Sequence, residues 1–372
     1  MYTTLFTYAL WRKDVSIKDI PYNDVDYLIL TLLSYLHLSV IKDKIVLPSS
    51  LKDIFFYYKN TNHEYDESYD LFKMISSSKR YSHIQIIDFS DEIDEKVYKQ
   101  FFGLTYLLEN KTLLITFRGT DDSWVGWKEN MSLLYESHIP SHTSSLHYIA
   151  SIINKTNHFH LKNKRFNTFF NKIYTFFFPY SLIITGHSKG GHLALYSAMH
   201  IDKDIQKHII RVINFDGPGL LLSMLEKLDY DTLLPKIISY VPQFTFFGLL
   251  FYHEENYQVI HSTAAGLNQH DPSSWCISPD GFVEDELKEE SIEFFIKMNT
   301  FLNKMSIEEK RMLFASLFEL FELLNIHSFN DLFHLQFKHL ILGIKEIHYM
   351  NSHIRKRLIE FIRLFYFEFS KS

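Results

Sequence analysis

Residues 186–190, Gly-His-Ser-Lys-Gly, constrain the fold of this chain more than any other segment. The apolar run Ser-Leu-Ile-Ile-Thr comes directly before them, and a run with small residues at positions 191, 194 and 198 follows. This pattern predicts a buried strand, a tight turn and a helix, in that order. The glycines on either side of the turn allow the strand and the helix to approach each other closely. The serine between them is predicted to lie on a strained backbone at the end of the strand.

Other short apolar runs, each ended by turn residues, predict a mostly parallel sheet. The predicted strands are residues 81–89, 112–117, 181–185, 211–215, 236–241 and 257–260. Helical patterns, notably at residues 191–200 and 220–228, separate most of these strands. Alternation of this kind indicates an α/β architecture with helices on both faces of the sheet. Ligands of such sheets bind beyond the carboxyl ends of the strands, where residues 119–120, 186–190 and 216–217 are expected.

The two ends of the chain have helical patterns. Asn23 and the acidic residues after it are typical of a helix start before the apolar run that begins at Tyr27. From about residue 285 the pattern becomes entirely helical, with capping-box spacing between Ser306 and Glu309 and another predicted helix start at residues 328–331. We therefore predict a domain over residues 1–284 that includes the N-terminal helical segment. A helical subdomain over residues 285–372 is predicted to pack against it.

Composition restricts the classes of function. The chain has 372 residues, 46% of them hydrophobic, which suffices for a large core. Its net charge of -6 and the lack of a long basic run argue against nucleic-acid binding. A single cysteine, Cys276, excludes a disulfide framework and a cysteine-based metal site.

Targeting signals are not apparent in the sequence. No uninterrupted apolar stretch reaches the roughly 18 residues of a membrane-spanning helix. The N-terminal residues lack the charged and apolar regions of a Sec-type signal peptide. We therefore predict a cytoplasmic protein without a transmembrane segment, and export by a non-Sec route stays open.

Ser188 is the candidate nucleophile, since it occupies the centre of the strand–turn–helix pattern. In α/β chains of this type the catalytic residues follow the order serine, acid, histidine. His270, in a polar segment after a predicted strand, is the candidate base, and His261 is the rival. Asp216 ends the predicted strand that follows the nucleophile strand and is the candidate acid. It also fits as a simple turn residue, and Asp271, Glu254 and Glu255 stay open as other carboxylates.

The same pattern predicts an oxyanion hole and a pocket. The backbone amide after the nucleophile, here that of Lys189, is one expected donor. The second is Thr120, at the end of predicted strand 112–117, through its amide and its hydroxyl. Trp124, Phe244 and Phe247 are candidate residues of an apolar substrate pocket, although each is also compatible with an ordinary core.

These motifs together resemble the Mbeg-like family of bacterial α/β-hydrolases, which is related to the class 3 lipases. The similar segments are residues 20–26, 117–130 (FRGTDDSWVGWKEN), 186–194 (GHSKGGHLA), 214–219 (NFDGPG), 240–243 and 269–275. The resemblance implies an α/β-hydrolase fold, with a mostly parallel central sheet flanked by helices and a helical C-terminal extension. It also implies lipase- or esterase-like chemistry, with Ser188 as nucleophile, His270 as base, and Thr120 with Lys189 at the oxyanion hole.

The chain departs from this pattern in two respects. His192 and Asn130 stand where the family more often has asparagine and aspartate. Class 3 lipases carry their acid near the position of residues 241–245, where this chain has no carboxylate. Asp216 is therefore a substitute for that acid and not a match to it.

The expected function is that of a serine hydrolase that cleaves acyl esters through a Ser-His-acid triad and an acyl-enzyme. The expected substrates are lipid or other hydrophobic acyl esters, and no metal or cofactor is required. Transient contact with a membrane surface is compatible with this function, and the oligomeric state stays open. Two alternatives remain: a non-catalytic binding or regulatory protein on the same scaffold, and an acyltransferase.

Overall fold

A central sheet of eight strands organises the molecule. The computed structural model describes residues 3–61, 67–121, 123–162, 179–225, 230–326, 343 and 345–369. The sheet strands are β1 (Ser49–Ser50), β2 (Gln85–Asp94), β3 (Lys99–Leu108), β4 (Thr112–Phe117), β5 (Ser181–His187), β6 (Ile209–Phe215), β7 (Ile237–Pro242) and β8 (Asn256–Ile260). They lie in sequence order across the sheet. Strands β1 to β4 pair antiparallel, and β4 to β8 pair parallel. Strands β9 (Ile277–Ser278) and β10 (Gly281–Phe282) form a separate two-stranded sheet.

Helices lie around this sheet and continue beyond it. They are α1 (Leu5–Arg12), α2 (Asp24–Leu32), α3 (Leu51–Tyr58), α4 (Glu67–Ser76), α5 (Trp124–Ser132), α6 (Pro140–Lys162), α7 (Lys189–His200), α8 (Lys203–Gln206), α9 (Leu222–Leu225), α10 (Glu289–Asn303), α11 (Ile307–Leu323) and α12 (Ser352–Phe369). The predicted α/β-hydrolase fold, with a mostly parallel sheet and C-terminal helices, is confirmed.

The central strands are apolar on both sides because both faces of the sheet are covered. Alternate side chains of β4 and β5 enter two different cores. Leu114 and Ile183 pack in the core formed with the N-terminal helices. Leu113 and Ile184 pack in the core formed with α6 and α7. Helix α7 contacts β4, β5 and β6, which fixes the turn between β5 and α7 against three neighbouring strands.

A buried ion pair anchors the N-terminal helical layer. Asn23 forms a capping box at the start of α2, as its position in the sequence predicts. Two residues into this helix, Asp26 accepts hydrogen bonds at both carboxylate oxygens from Arg80, at 2.8 and 2.7 Å. Arg80 also donates to the carbonyls of Ile20 and Pro21. The segment at residues 20–26 is thus held to the chain just before β2.

The C-terminal helices share a core with the edge of the sheet domain. Residues of α10, α11 and α12 pack with Phe244, Phe246 and Leu250. The predicted capping box between Ser306 and Glu309 begins α11. The helix start expected at residues 328–331 lies outside the described residues. The boundary near residue 285 stays a prediction.

Most predicted strands lie within two residues of their observed bounds, and two elements differ. The strand expected at residues 81–89 begins only at Gln85, because residues 81–84 form a turn that follows α4. The helix expected at residues 220–228 is described only as the short α9, and residues 226–229 lie outside the described part. Strand β3 and helix α6 were not predicted.

Within the described residues, no single helix has the length and apolar character needed to cross a bilayer. The segments Asp24–Tyr35 and Leu38–Lys44 meet that test only when taken together, across a bend of 78°.

Candidate active site

Ser188 occupies a strained turn between β5 and α7. Its backbone has φ 58° and ψ -128°, a conformation that residues other than glycine rarely adopt. The turn requires glycine at two neighbouring positions: a Cβ at Gly186 would lie 2.1 Å from the Gly190 backbone, and one at Gly190 would lie 2.0 Å from Phe117 O. The Ser188 amide donates to Phe215 O at 2.9 Å, which ties the turn to the end of β6. Strain of this kind indicates a backbone held in place for a function.

His270 and Asp216 lie in contact at the carboxyl end of the sheet. His270 Nδ1 is 2.6 Å from Asp216 Oδ2, and the aspartate is fully buried whereas the histidine is partly exposed. Asp216 follows β6 directly and has φ 50°, in a turn closed by two hydrogen bonds between Asn214 and Gly217. A buried carboxylate bonded to one imidazole nitrogen orients the ring and leaves its other nitrogen available for proton transfer.

Other groups hold the Asp216 carboxylate in position. Thr245 Oγ1 donates to Asp216 Oδ1 at 2.6 Å, and the backbone amide of Gly248 also contacts the carboxylate. On balance the pKa of Asp216 is raised, because burial outweighs the hydrogen bonds from His270 and Thr245, which lower it. Thr245 belongs to the segment where class 3 lipases carry their acid. In this chain the segment therefore supplies a hydrogen-bond donor to a carboxylate that comes from β6.

The rival residues make other contacts. Glu255 accepts from His253 and Ser239, at 2.7 and 2.5 Å. Asp271 caps the short helical turn after His270 by accepting from Ser273. His261 lies 2.7 Å from Asp285, and Tyr252 donates to Glu254 at 3.1 Å.

The two expected oxyanion donors border the same turn. Lys189 is the first residue of α7, so its amide belongs to the helical turn whose N–H groups have no intrahelical acceptor. Thr120 lines the cleft beside Ser188, and its hydroxyl is buried without a hydrogen-bond partner in the described part of the chain. An unsatisfied buried donor is costly, so this hydroxyl is a candidate donor to a ligand oxygen in the cleft.

The Lys189 side chain forms a buried ion pair that the sequence reasoning missed. Its ammonium group lies 2.7 Å from Glu129 Oε2 and also donates to the carbonyl and side-chain oxygens of Gln100. Glu129 further accepts from the amide and hydroxyl of Ser141. Lysine and glutamate are both fully buried. This pair fixes α5, which carries Glu129, to the start of α7.

A second buried chain of hydrogen bonds connects His187 with His270. His187 Nε2 lies 2.9 Å from His270 O, and because a carbonyl only accepts, this nitrogen carries the proton. His187 Nδ1 then accepts from the Tyr35 hydroxyl at 2.8 Å. The Gly119 amide donates to the Tyr35 oxygen. Burial lowers the pKa of His187 to about 3, which keeps the ring neutral in this arrangement.

His192 and His142 form a buried pair one turn after Ser188. His192 Nδ1 donates to Gly219 O at 2.7 Å, so its Nε2 is the acceptor for His142 Nε2, at 2.8 Å. His142 Nδ1 in turn accepts from the Ile139 amide. Burial lowers the pKa of both rings, that of His192 to about 4. Neutral rings are required here, because a proton on both facing nitrogens would remove the acceptor.

Ser188 and His270 open into one narrow cleft of about 240 Å³. Thr120 and Phe247 also line it, and the Phe247 ring packs against His270 with centroids 4.6 Å apart. The remaining lining includes Trp127, Met131, Leu134, Phe246, Leu250, Phe251 and Leu267. A larger depression of about 960 Å³ between α10 and α12 does not contain the candidate residues.

Two residues predicted for the pocket do not line this cleft. Trp124 packs instead on Phe318 and Phe321 of α11, with ring centroids 5.5 and 5.8 Å apart. Phe244 is buried against Phe294 of α10. Both rings pack in the core shared with the C-terminal helices. The sequence pattern does not show that these helices cover them.

Comparison with known proteins gives a family and one solved structure of low similarity. No curated protein matches the chain. Among solved structures, the crystal structure of M37 lipase is similar to it with a TM-score of 0.31 and 15% identity, over 59% of this chain and 68% of that chain. The model of the Mbeg1-like family matches residues 75–319, which include Ser188, Asp216 and His270. Since this match spans more than half of the chain, the protein belongs to the Mbeg1-like family.

Proposed function

We propose that the protein is a serine hydrolase that cleaves esters of hydrophobic acyl groups. The observation that carries the proposal is the 2.6 Å contact between His270 and buried Asp216, in a cleft that also contains Ser188 on its strained turn. A nucleophile, an oriented base and free oxyanion donors at one site are the parts that acyl transfer to serine requires.

The proposed reaction has two halves. His270 Nε2 accepts the Ser188 hydroxyl proton while Oγ attacks the ester carbonyl, and the amides of Lys189 and Thr120 donate to the resulting oxyanion. The C–O bond to the alcohol then breaks, and the alcohol leaves with the proton from His270. Water repeats the sequence on the acyl-enzyme, so that a carboxylic acid is released and Ser188 regains its proton.

The carboxylate contact also bears on the alternative functions. The lack of an acid at the lipase position would favour the non-catalytic alternative, but Asp216 supplies a carboxylate within hydrogen-bond reach of His270. This favours hydrolysis over a binding role. Transfer of the acyl group to an acceptor other than water would use the same residues, and analysis of the products separates the two reactions.

Ester hydrolysis by matched variants tests the proposal. Ser188→Ala is expected to abolish turnover of p-nitrophenyl esters, and Asp216→Asn to lower kcat by roughly 10³–10⁴-fold, because the histidine loses its orienting charge. Asn keeps the size of the aspartate, so the folded state is expected to persist in circular dichroism. Unchanged turnover in a folded Ser188→Ala variant would contradict the assignment.

A further inference from the structure

We propose that the C-terminal helices α10 and α12 close the acyl pocket, and that Met298, Leu302 and Phe361 limit the length of the acyl chain. This inference rests on the proposed function, because it assigns the cleft beside Ser188 to the acyl group. It gives the C-terminal helices a role in substrate selection in addition to their role in the core.

The lining of the cleft divides into a polar part and an apolar part. Thr120, Ser188 and His270 bring polar atoms to the part where chemistry is proposed, and Asn130 and Asn268 are the other polar residues. The rest of the lining is apolar. Apart from the titratable ring of His270, no described lining residue carries a charged group. A neutral hydrocarbon chain matches such a surface, whereas a charged group would lose its hydration without gaining a partner.

The C-terminal helices contribute one part of this apolar lining. Met298 and Leu302 come from α10, and Phe361 comes from α12. All three are at most 6% exposed, as are Leu133, Phe246 and Leu250, which line the cleft from outside these helices. The three C-terminal side chains therefore form a buried apolar wall of the cleft, and the end of a bound chain is expected to meet this wall.

The size of the cleft agrees with a chain of medium length. Its volume is about 240 Å³. This is below the roughly 300–1,000 Å³ that is typical of pockets for small molecules. We therefore expect octanoate esters to be better substrates than palmitate esters, because the longer chain would have to displace the C-terminal side chains.

Two substitutions at Leu302 test this limit in opposite directions. Leu302→Ala removes volume from the end of the cleft and is expected to raise the ratio of kcat/KM for palmitate to that for octanoate by about tenfold or more. Leu302→Phe adds volume and is expected to raise the ratio for butyrate to that for octanoate by a similar factor. Each ratio is measured within one variant on p-nitrophenyl esters, so a change in the amount of folded protein cancels.

Leu358→Ala is the matched control. Leu358 is fully buried in the core of the same helical layer, one turn before Phe361, but does not line the cleft. Leu358→Ala removes the same atoms as Leu302→Ala. It is therefore expected to lower thermal stability and to leave the chain-length ratios at their wild-type values. Equal ratios in the wild type and both Leu302 variants would overturn the inference, as would a matching shift in Leu358→Ala.

The failure of the inference and that of the proposed function are distinguishable. p-Nitrophenyl acetate has an acyl group of two carbons, so its hydrolysis is not expected to depend on a limit to the acyl chain length. If the wild type hydrolyses the acetate and Ser188→Ala does not, the proposed function holds, and an unmoved chain-length profile refutes the inference alone. If the folded wild type hydrolyses no ester, both are refuted.

Discussion

At the scale of single residues, the candidate base is held from both its ring and its backbone. Asp216 bonds the ring of His270, and His187 donates to its carbonyl. Tyr35 bonds both His187 and the Gly119 amide, next to the proposed oxyanion donor Thr120. The hydroxyl of Tyr35 thus connects the loop after β4, through His187, with the backbone of the proposed base. We regard Tyr35 and His187 as positioning residues, since neither is placed to contact the substrate.

Tyr35→Phe is expected to reduce kcat with little change in KM. The substitution removes the donor to His187 and the acceptor for the Gly119 amide, and an unsatisfied buried group costs about 1–3 kcal/mol. Part of that cost is expected in the transition state, which corresponds to roughly a tenfold lower kcat. Steady-state kinetics on one ester together with urea denaturation measure the two effects.

Tyr106→Phe serves as the control for Tyr35→Phe. Tyr106 is fully buried and donates to Leu30 O at 2.8 Å, away from the cleft. Tyr106→Phe is expected to lower the free energy of unfolding by a similar amount and to leave kcat unchanged. A Tyr35→Phe variant that loses stability but keeps the wild-type kcat would show that the hydroxyl is only structural.

The site residues could be predicted from the sequence to different degrees. Ser188 could be predicted because the glycines and apolar runs that identify it are close to it in the sequence. The contact between His270 and Asp216 joins residues 54 positions apart, so spacing alone left several carboxylates open. Glu129 was missed because a glutamate on a helix is usually solvated, and here the packing of α5 on β3 and the contacts with Ser141 and Lys189 bury it.

At the scale of elements, a buried ion pair joins α5, which lines part of the cleft, to α7, which follows the candidate nucleophile. Glu129 lies in α5, which also supplies Trp127 and Met131 to the cleft, and Lys189 begins α7. All hydrogens of the lysine ammonium group have acceptors. The pair therefore fixes one wall of the cleft relative to the turn that holds Ser188.

Glu129→Gln is expected to lower the free energy of unfolding by about 3–5 kcal/mol, because it leaves the buried Lys189 ammonium without its counter-ion. The double variant Glu129→Gln with Lys189→Met removes both charges and is expected to recover part of this loss. Urea denaturation of the wild type, both single variants and the double variant gives the coupling energy. A loss below about 1 kcal/mol in Glu129→Gln would contradict a tightly coupled pair.

Strand β3 and helix α6 are two of the elements that the sequence did not predict, and both have patterns without a clear period. Strand β3 is buried along most of its length, so it lacks the alternation of a half-exposed strand. Helix α6 begins with a run of serine, threonine and histidine, residues that favour turns when they are exposed. Several of these polar residues are buried and satisfied by tertiary hydrogen bonds, among them Ser141 and His142.

At the scale of the whole molecule, three buried neutral histidines make stability depend on pH. Burial lowers the pKa of His142, that of His187 to about 3 and that of His192 to about 4. The ordinary value, expected in the unfolded chain, is 6.5. Between these values the unfolded chain binds more protons than the folded chain, so the free energy of unfolding falls as the pH decreases. This contribution is complete above pH 6.5 and is lost progressively as the pH falls towards 4 and then 3.

Acidification from about pH 7.5 to about pH 5.5 is therefore expected to cost roughly 1 kcal/mol for each of the three histidines. Urea midpoints across this range measure the loss. His192→Asn removes one titrating group and supplies an amide that can bond His142, so its midpoint is expected to fall less steeply. If the urea midpoints of the wild type and His192→Asn fell equally steeply with pH, the assignment of a neutral His192 would be contradicted.

The most direct test of the proposed chemistry is covalent labelling with a fluorophosphonate, followed by mass spectrometry of the digested protein. We predict one adduct on the peptide that contains Ser188, no adduct in Ser188→Ala, and slower labelling in Asp216→Asn. If the folded wild type stayed unlabelled, or carried its adduct at another residue, the assignment of Ser188 as the nucleophile would be contradicted.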